Sequence, residues 1–579
     1  MINSTETTAS APSSSELRTP NRGRRALALA GRVVRRVWPV LRWLIFQTPT
    51  LAALAFAMFA VCSMHLGFFK PPRAMNPKDE GYILAFALRM IEGHWLPYVD
   101  GVSHRGPMLY WVAAIVAWFY KDISYTPIRV LALSCSMLTM AFTYVAAWRL
   151  KHRLAGAVAV LAIMVSFILD MMPVDGTAYN GEPLLDVFAL GALMVLAFAL
   201  APERRRASIA LASLGGALAA LGALSKQVGS VTIPPLFLWV LVVCLNRPGG
   251  AGFRRFFPLL GFTCGVALPV LVVVARYAIA GELRTLYFYA VTYNSHYYMA
   301  PLTPKAWKDG FRAWVMTRPE HIAGALGLVA AGIARPFARA RRGTLIARAD
   351  QHGFVMTVAL CSGVTLAVAN GTLRDFWHYY VQVVPWFGLL FGLMLEQLAD
   401  VPPLFRWRRF VVECAVLFPA MLLLWQLLPN RLKEYSTGPS TAPICAYIDQ
   451  HTKPTDAVYF WGFCPDLYIY CKRRAGSRYV YSTFQSGYVP FFNEATKAQE
   501  QKRVVPGSQA LFLKDLDASQ AALIIDIPFT MGGRSIVDTP AYKAYLDRQY
   551  CAPTPYDGTT VYHRRGPLGA CPVPEAPRP

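Results

Sequence analysis

Of 579 residues, 55% are hydrophobic and 16% are charged, with 57 Lys and Arg against 33 Asp and Glu. That composition excludes an ordinary soluble globular chain and a disordered one. The formal net charge of +24 would suit nucleic acid if the basic residues formed one patch. They fall instead in clusters between apolar runs, which argues against a nucleic-acid partner and for loops facing anionic lipid.

Residues 1–20 are rich in Ser, Thr, Ala and Pro, without apolar periodicity, and residues 1–48 read as a disordered basic tail carrying Arg18, Arg22, Arg24, Arg25, Arg32, Arg35, Arg36 and Arg42. Pro49 to Phe69 is long enough for a retained membrane anchor and lacks the short apolar region and cleavage site of a signal peptide. Further apolar runs lie near 126–148, 152–170, 183–201, 207–225, 227–246, 256–280, 320–335, 352–370, 379–397 and 409–428, which with 50–68 makes about eleven transmembrane helices. Pro107 to Tyr120 is too short to cross upright and reads as interfacial or re-entrant. Leaving it out puts the basic loops at 149–153, 204–206, 254–255, 335–348 and 406–409 on the side of the basic N-terminus. With that side cytoplasmic, residues 49–429 form the membrane core and residues 430–579 an extracytoplasmic domain. The conspicuous carboxylates, histidines and aromatic clusters then gather in the loops of the outer side, above all in the loop 70–125.

In that first loop Asn76 is placed to cap a helix, with Pro77 at its first position and Asp79 three residues after the cap. Ile83, Leu84, Phe86, Ala87, Met90 and Ile91 form a stripe expected to face the membrane, and Gly93 ends the helix. Asp79 reads either as a capping carboxylate or as a chemical group. Glu80, about 100° round the helix, either binds a substrate hydroxyl or amine or favours the positive helix end. Tyr82, His104, Arg105 and Tyr110 follow in the same loop. Glu182 precedes Pro183 at the mouth of the next span, as a cap or a second acid. Lys226 sits at an outer boundary, as an interfacial anchor or a phosphate ligand. His296 lies in an aromatic loop. Arg374, His378 and Tyr379 precede a late span, as pocket groups or as part of an aromatic interface belt.

After the last span, Ala457–Gly462, Arg478–Thr483, Ala521–Ile527 and Thr559–His563 read as strands, and Phe491–Gln501 and Pro540–Tyr550 as helices, predicting a small α/β domain. Six cysteines lie within apolar spans. Of the rest, Cys464 with Cys471 and Cys551 with Cys571 are candidate disulfides in an oxidising space, with the connectivity left open. No paired His/Cys spacing and no Asp-x-Asp in the first loop marks a metal site, so neither a metal nor a cofactor is expected.

The motif Asp79-Glu80-Gly81-Tyr82, the amphipathic helix ending in Glu92-Gly93, then Pro97-Tyr98 and Arg105-Gly106-Pro107 before Tyr110-Trp111, resembles the GT-C superfamily of membrane glycosyltransferases. Within it the chain is similar to glycosyltransferase family 39 and the lipid A aminoarabinose transferases. Gly181-Glu182-Pro183, Ser225-Lys226-Gln227, Phe376-Trp377-His378-Tyr379-Tyr380 and Val458-Tyr459-Phe460-Trp461-Gly462 continue the likeness in order, over roughly residues 45–530. The resemblance implies a sugar moved from a polyprenyl-phosphate-linked donor to an envelope acceptor (lipid, glycan or protein) at the outer face of a bacterial cytoplasmic membrane. It implies Asp79 as catalytic base, Glu182 as second acidic residue, and Arg105, where the family commonly has lysine, at the donor phosphate with Lys226 and Arg374. Glu80, Tyr82, His104, Tyr110, His296, His378 and Tyr379 are further pocket candidates. One carboxylate beside an acceptor suits single displacement with inversion. The competing readings are a transporter or flippase of lipid-linked saccharides, which would place charges near the midplane, and a non-catalytic assembly protein, which would not need Asp79, Arg105 and Glu182 together.

Overall fold

A computed structural model of the chain describes residues 47–65, 77–168, 178–200, 208–246, 252–298, 308, 349–371, 377–399, 408–434, 442–490, 497–566, 570 and 571. The tail 1–46, the run 320–335, the cap Asn76 and Arg374 lie outside them. Among the described residues eight helices are long and apolar enough to cross a bilayer, and the chain is an integral membrane protein.

In chain order the helices are α1 (Gln47–His65), α2 (Pro77–Glu92), α3 (Pro107–Tyr120), α4 (Thr126–Arg149), α5 (Arg153–Ile168), α6 (Gly181–Ala199), α7 (Ser208–Ser225), α8 (Ile233–Leu245), α9 (Phe257–Ile279), α10 (Ala349–Gly371), α11 (Val384–Ala399) and α12 (Arg408–Glu434). Helices α5 and α11, expected as full spans, have 16 residues each, and α3 has 14. Helices α4 and α6 begin, and α7 ends, at one end of the bundle, and the basic segments 149–153, 254–255 and 408–409 stand at the other. Lipid-length helices gain nothing from burying Leu against Leu, so close backbone approach decides their packing. Helix α7 accordingly packs closely on α6 and α9, with alanines and Gly216 along its contact stripe.

Helix α2 corrects one expectation. Ile83, Leu84, Phe86, Ala87 and Met90 are fully buried and face protein, not lipid. Helix α3 covers one flank and residues 466–470 cover the other. Gly81 makes that second contact feasible, because a Cβ there would stand 2.8 Å from the Asp466 backbone nitrogen. Arg89 donates from Nη1 to the Ala475 carbonyl at 2.6 Å, and the Val102 N–H donates to Arg478 O at 2.9 Å. The C-terminal part of the chain thus sits directly on the first long loop.

That part begins with α13 (Ala442–His451) and holds a five-stranded sheet of β1 (Ala457–Trp461), β2 (Arg474–Ala475), β3 (Leu523–Asp526), β4 (Thr554–Tyr556) and β5 (Thr559–His563), ordered β2-β1-β3-β5-β4. Strand β1 runs parallel to β2 and β3, and β5 pairs antiparallel with β3 and β4. Every residue of β1 and β3 is buried, as continuous apolar runs in a covered parallel pair require. Asp557 and Gly558, both at positive φ, close the β4–β5 hairpin. Helices α14 (Ser508–Ser519) and α15 (Pro540–Gln549) complete the α/β unit.

Arg478–Thr483, expected as a strand, forms none; the Arg478 and Ser477 donors are taken up by Asp515 of α14 instead of by a ladder. A helix stands at Lys497–Arg503, within and just past the expected 491–501. Cys551 pairs with Cys571 as expected, but Cys471 bonds Cys445, which α13 brings beside it, and Cys464 is a buried thiol.

Candidate active site at one end of the bundle

Asp79 and Glu80 stand in the first turn of α2, where the helix N-terminus favours negative charge. Their side chains diverge. Asp79 Oδ1 accepts from Arg105 Nη2 at 2.5 Å. Glu80 is fully buried, with Oε2 3.4 Å from Arg129 Nη2 and Oε1 accepting from the Tyr179 N–H at 3.0 Å. Glu80 therefore ties α2 to α4 and to the start of α6, and of the two carboxylates Asp79 is the one turned toward Arg105.

Arg105 is held by backbone and side-chain bonds around it. Tyr98 donates its hydroxyl to the Arg105 carbonyl at 2.6 Å, and the Arg105 N–H donates to Ser103 Oγ at 3.1 Å. Tyr98 keeps a φ of 67°, a left-handed conformation costly for a bulky side chain, so the surrounding contacts must over-determine it. The next residue is Gly106, and a Cβ there would come within 2.6 Å of the Leu224 carbonyl carbon. Only glycine lets this loop lie against the end of α7, which is what brings Arg105 next to residue 226.

Lys226 occupies the extended joint between α7 and the 3-10 turn Gln227–Thr232. Its ammonium bonds Glu182 Oε1 and lies 4.3 Å from the centroid of the Tyr379 ring. His378 Nε2 is 3.8 Å from the same Glu182 oxygen. Glu182 follows Asn180, whose side chain accepts from the Glu182 N–H at 3.2 Å and caps α6. Gln227 and Asn294 both donate to the His104 carbonyl, at 3.0 and 2.8 Å, so the loop, the α7 joint and the segment Phe288–Tyr298 are stitched together.

The charges interact as one group. Burial pushes the Asp79 carboxyl up, but Arg105 first, then His378 and Lys226, outweigh it and hold the group below its ordinary value. The Arg105 guanidinium is also drawn by Glu182. Its Nη1 is buried without a hydrogen-bond partner among the described residues. Asp79, Arg105, Glu182, Lys226, His378 and Tyr379 therefore stand together as one cluster.

The other sequence candidates are placed differently. Tyr82 and Tyr110 are buried, with hydroxyls engaged by Val102 O and Ser103 Oγ. They act as walls, the Tyr82 ring centroid being 5.8 Å from the Arg105 guanidinium carbon. His104 contributes its carbonyl, and its ring lies beside Tyr293. His296 falls in the segment Phe288–Tyr298, and its side chain, like Arg374, lies outside what is described. Among the described residues no group of three or more His, Cys, Asp or Glu stands at ligating distance. Sequence reasoning missed Arg129, Tyr179, Gln227 and Asn294. Arg129 alone carried a signal, as an arginine in the first turn of an apolar span.

No family model matches the chain. Over 162 residues, 27% of its length, it is 26% identical to an undecaprenyl phosphate-alpha-4-amino-4-deoxy-L-arabinose arabinosyl transferase 1 of Proteus mirabilis (strain HI4320). The chain is similar to an arabinosyl transferase. The match spans 29% of that relative's length. Similar solved structures include ArnT from Cupriavidus metallidurans bound to undecaprenyl phosphate, at 16% identity and a TM-score of 0.48, covering 92% of this chain and 99% of that one. They also include the oligosaccharyltransferase AglB from Archaeoglobus fulgidus with an inhibitory peptide and a dolichol-phosphate, at 12% identity and a TM-score of 0.43, covering 89% and 74%.

Proposed function

We propose that the protein is a membrane glycosyltransferase that moves a sugar from a polyprenyl-phosphate-linked donor to an acceptor, with inversion at the anomeric carbon. The observation that carries the reading is Arg105, a partly buried guanidinium bonded to Asp79 through one nitrogen while its inner nitrogen Nη1 has no hydrogen-bond partner among the described residues. Such a group is ready to take an anion, and a guanidinium binds phosphate with two parallel N–H donors.

The chemistry follows from the pairing. With Arg105 on Asp79, the carboxylate is ionised but a weak base. A donor phosphate arriving at Arg105 and Lys226 competes with Asp79 for the guanidinium and so raises the basicity of the carboxylate. The acceptor oxygen then attacks the anomeric carbon and gives its proton to Asp79. The bond from that carbon to the phosphate oxygen breaks, and the departing phosphate keeps the electron pair. Fixed cations at that oxygen stabilise the growing charge, and general-base help from Asp79 contributes ~10²–10⁴-fold. Glu182, bonded to Lys226 and 3.8 Å from His378, holds both side chains toward the phosphate.

Orientation follows the charge. The basic segments stand at the end of the bundle opposite the site, which supports a site on the non-cytoplasmic face of a bacterial cytoplasmic membrane, with the α/β domain on the same side. The acceptor is an envelope lipid, glycan or protein. The test is to supply purified protein with a polyprenyl-phosphate-linked sugar and envelope extract and to measure free polyprenyl phosphate together with sugar on the acceptor. Movement of intact donor across a vesicle membrane without release of polyprenyl phosphate would sink the reading and favour a flippase.

A further inference from the structure

One helical turn deeper than Glu182, on the same flank of α6, stands Asp186. It is 2% exposed, and its Oδ1 has no hydrogen-bond partner. It lines a small cavity of ≈ 20 Å³ between α4, α5, α6 and the start of α11, with Ser136, Thr139, Ser166, Val381 and Pro385 among its walls. That is room for a single water-sized occupant.

The walls offer oxygen lone pairs and almost no protons. Ser136 donates its hydroxyl proton to Ala132 O at 3.2 Å, and Ser166 donates to Ile163 O at 2.7 Å. A serine has one such proton, so both oxygens turn only lone pairs to the cavity. Pro385, four residues after Val381, has no N–H to give the Val381 carbonyl. Among the described residues no Lys, Arg or His lines the space. A carboxylate in an apolar bundle without a counter-charge is costly. A lone water would supply two protons but leave the charge in place.

We infer that this cavity is a monovalent-cation site, ligated by the Asp186 carboxylate with the hydroxyl oxygens of Ser136, Thr139 and Ser166. One carboxylate balances one positive charge, and oxygen-only ligands suit a hard ion. A carboxylate holds the smaller ion of higher charge density more strongly, which favours Na⁺ over K⁺. The site is distinct from the charged pocket above it, and its existence does not depend on the transferase reading.

The test is thermal unfolding of the full-length protein in detergent, in NaCl, KCl or choline chloride at constant ionic strength and neutral pH. The expected result is a midpoint that rises and saturates with Na⁺, rises less with K⁺ and stays flat in choline, because an ion that binds only the native state stabilises it. Asp186→Asn should lose the Na⁺ response and unfold no lower than the wild type in choline. Should that variant fail to accumulate, Ser166→Ala decides the matter, with the half-saturating Na⁺ concentration expected to rise about tenfold. Superimposable wild-type curves in Na⁺ and choline overturn the site, as does a Na⁺ response retained by Asp186→Asn or left unmoved by Ser166→Ala. So does a midpoint that answers to added acid but not to Na⁺, which would mean that a proton alone neutralises Asp186.

Discussion

At the end of the bundle opposite the candidate site, Glu396 and Glu413 are tied to His152, Arg153 and Arg409. The site repeats that inventory of two carboxylates, two permanent cations and a histidine with Asp79, Glu182, Arg105, Lys226 and His378. The settings differ. The far group joins helix ends to one another: His152 and Arg153 at the start of α5, Glu396 in α11 and Arg409 with Glu413 in the first turns of α12. The near group stands largely on irregular backbone: the loop before Gly106, the joint at Lys226 and the short turn Trp377–Tyr380. The spare atoms differ in sign as well. Arg105 Nη1 is a cationic donor without a partner, whereas at the far end Glu413 Oε2 is a buried anionic acceptor without one. A phosphate is welcome at the first and repelled at the second. Counting charges does not separate a fastener from a site; the backbone beneath them and the sign of the unused atom do.

Asp79→Asn should break the near group most, lowering turnover ~10²–10⁴-fold while the amount of folded protein is unchanged by size-exclusion profile. Because Arg105 holds Asp79 below its ordinary value, the acid limb of kcat/KM should lie under the ordinary aspartate range of about pH 4. The carboxylate stays ionised above its depressed pKa, and the rate falls only as pH drops through it. Arg105→Gln should move that limb toward higher pH and raise KM for the lipid donor by more than about tenfold, or about 1.4 kcal/mol. A limb that does not move would separate Arg105 from the base.

The far group should respond in the opposite way. Glu413→Ala leaves Arg153 without its 2.7 Å partner and should destabilise the bundle by about 3 kcal/mol, at the lower end for a broken buried pair, because Arg409 is partly exposed. Thermal unfolding would register it, and KM for the donor should not change. In the C-terminal unit, Cys445→Ser with Cys471→Ser removes a cross-link of sequence separation 26 and should cost about 3 kcal/mol, visible as a lower midpoint that no longer answers to reducing agent. The smallest effect is expected at Asp526, pushed up to about 6 by burial against the help of Ser535 and the Ile536 N–H. The folded state takes up this proton before the unfolded one. Its contribution to stability is therefore complete below the ordinary aspartate value and is lost as pH rises through about 6. Asp526→Asn should flatten stability across that window, and an unchanged slope would contradict the assignment.

Much of this was legible in the chain itself. Apolar length and the spacing of basic clusters reveal the spans, and the order Asp79, Arg105, Glu182, Lys226, His378 marks the residues that meet. What the sequence hides is direction. Asp79 and Glu80 look interchangeable on paper, and their separation depends on Arg129 and Tyr179, brought in from 49 and 99 positions beyond Glu80. The stripe on α2 reads as lipid-facing because apolar periodicity says that a face is covered without saying by what. Cys471 illustrates the same limit, since its partner is chosen by where α13 lies and not by the nearest cysteine in the sequence.

The contact of Gly81 with the backbone of Asp466 has a bearing on biogenesis. The helix that carries Asp79 is emitted early by the ribosome, and the residues that clamp its flank come nearly four hundred positions later. A nascent chain therefore carries Asp79 and Arg105 long before the residues that pack on their helix exist. Under the proposed function, the helix that bears Asp79 gains its full packing only when synthesis is nearly complete, so half-made molecules in the membrane would not consume carrier lipid.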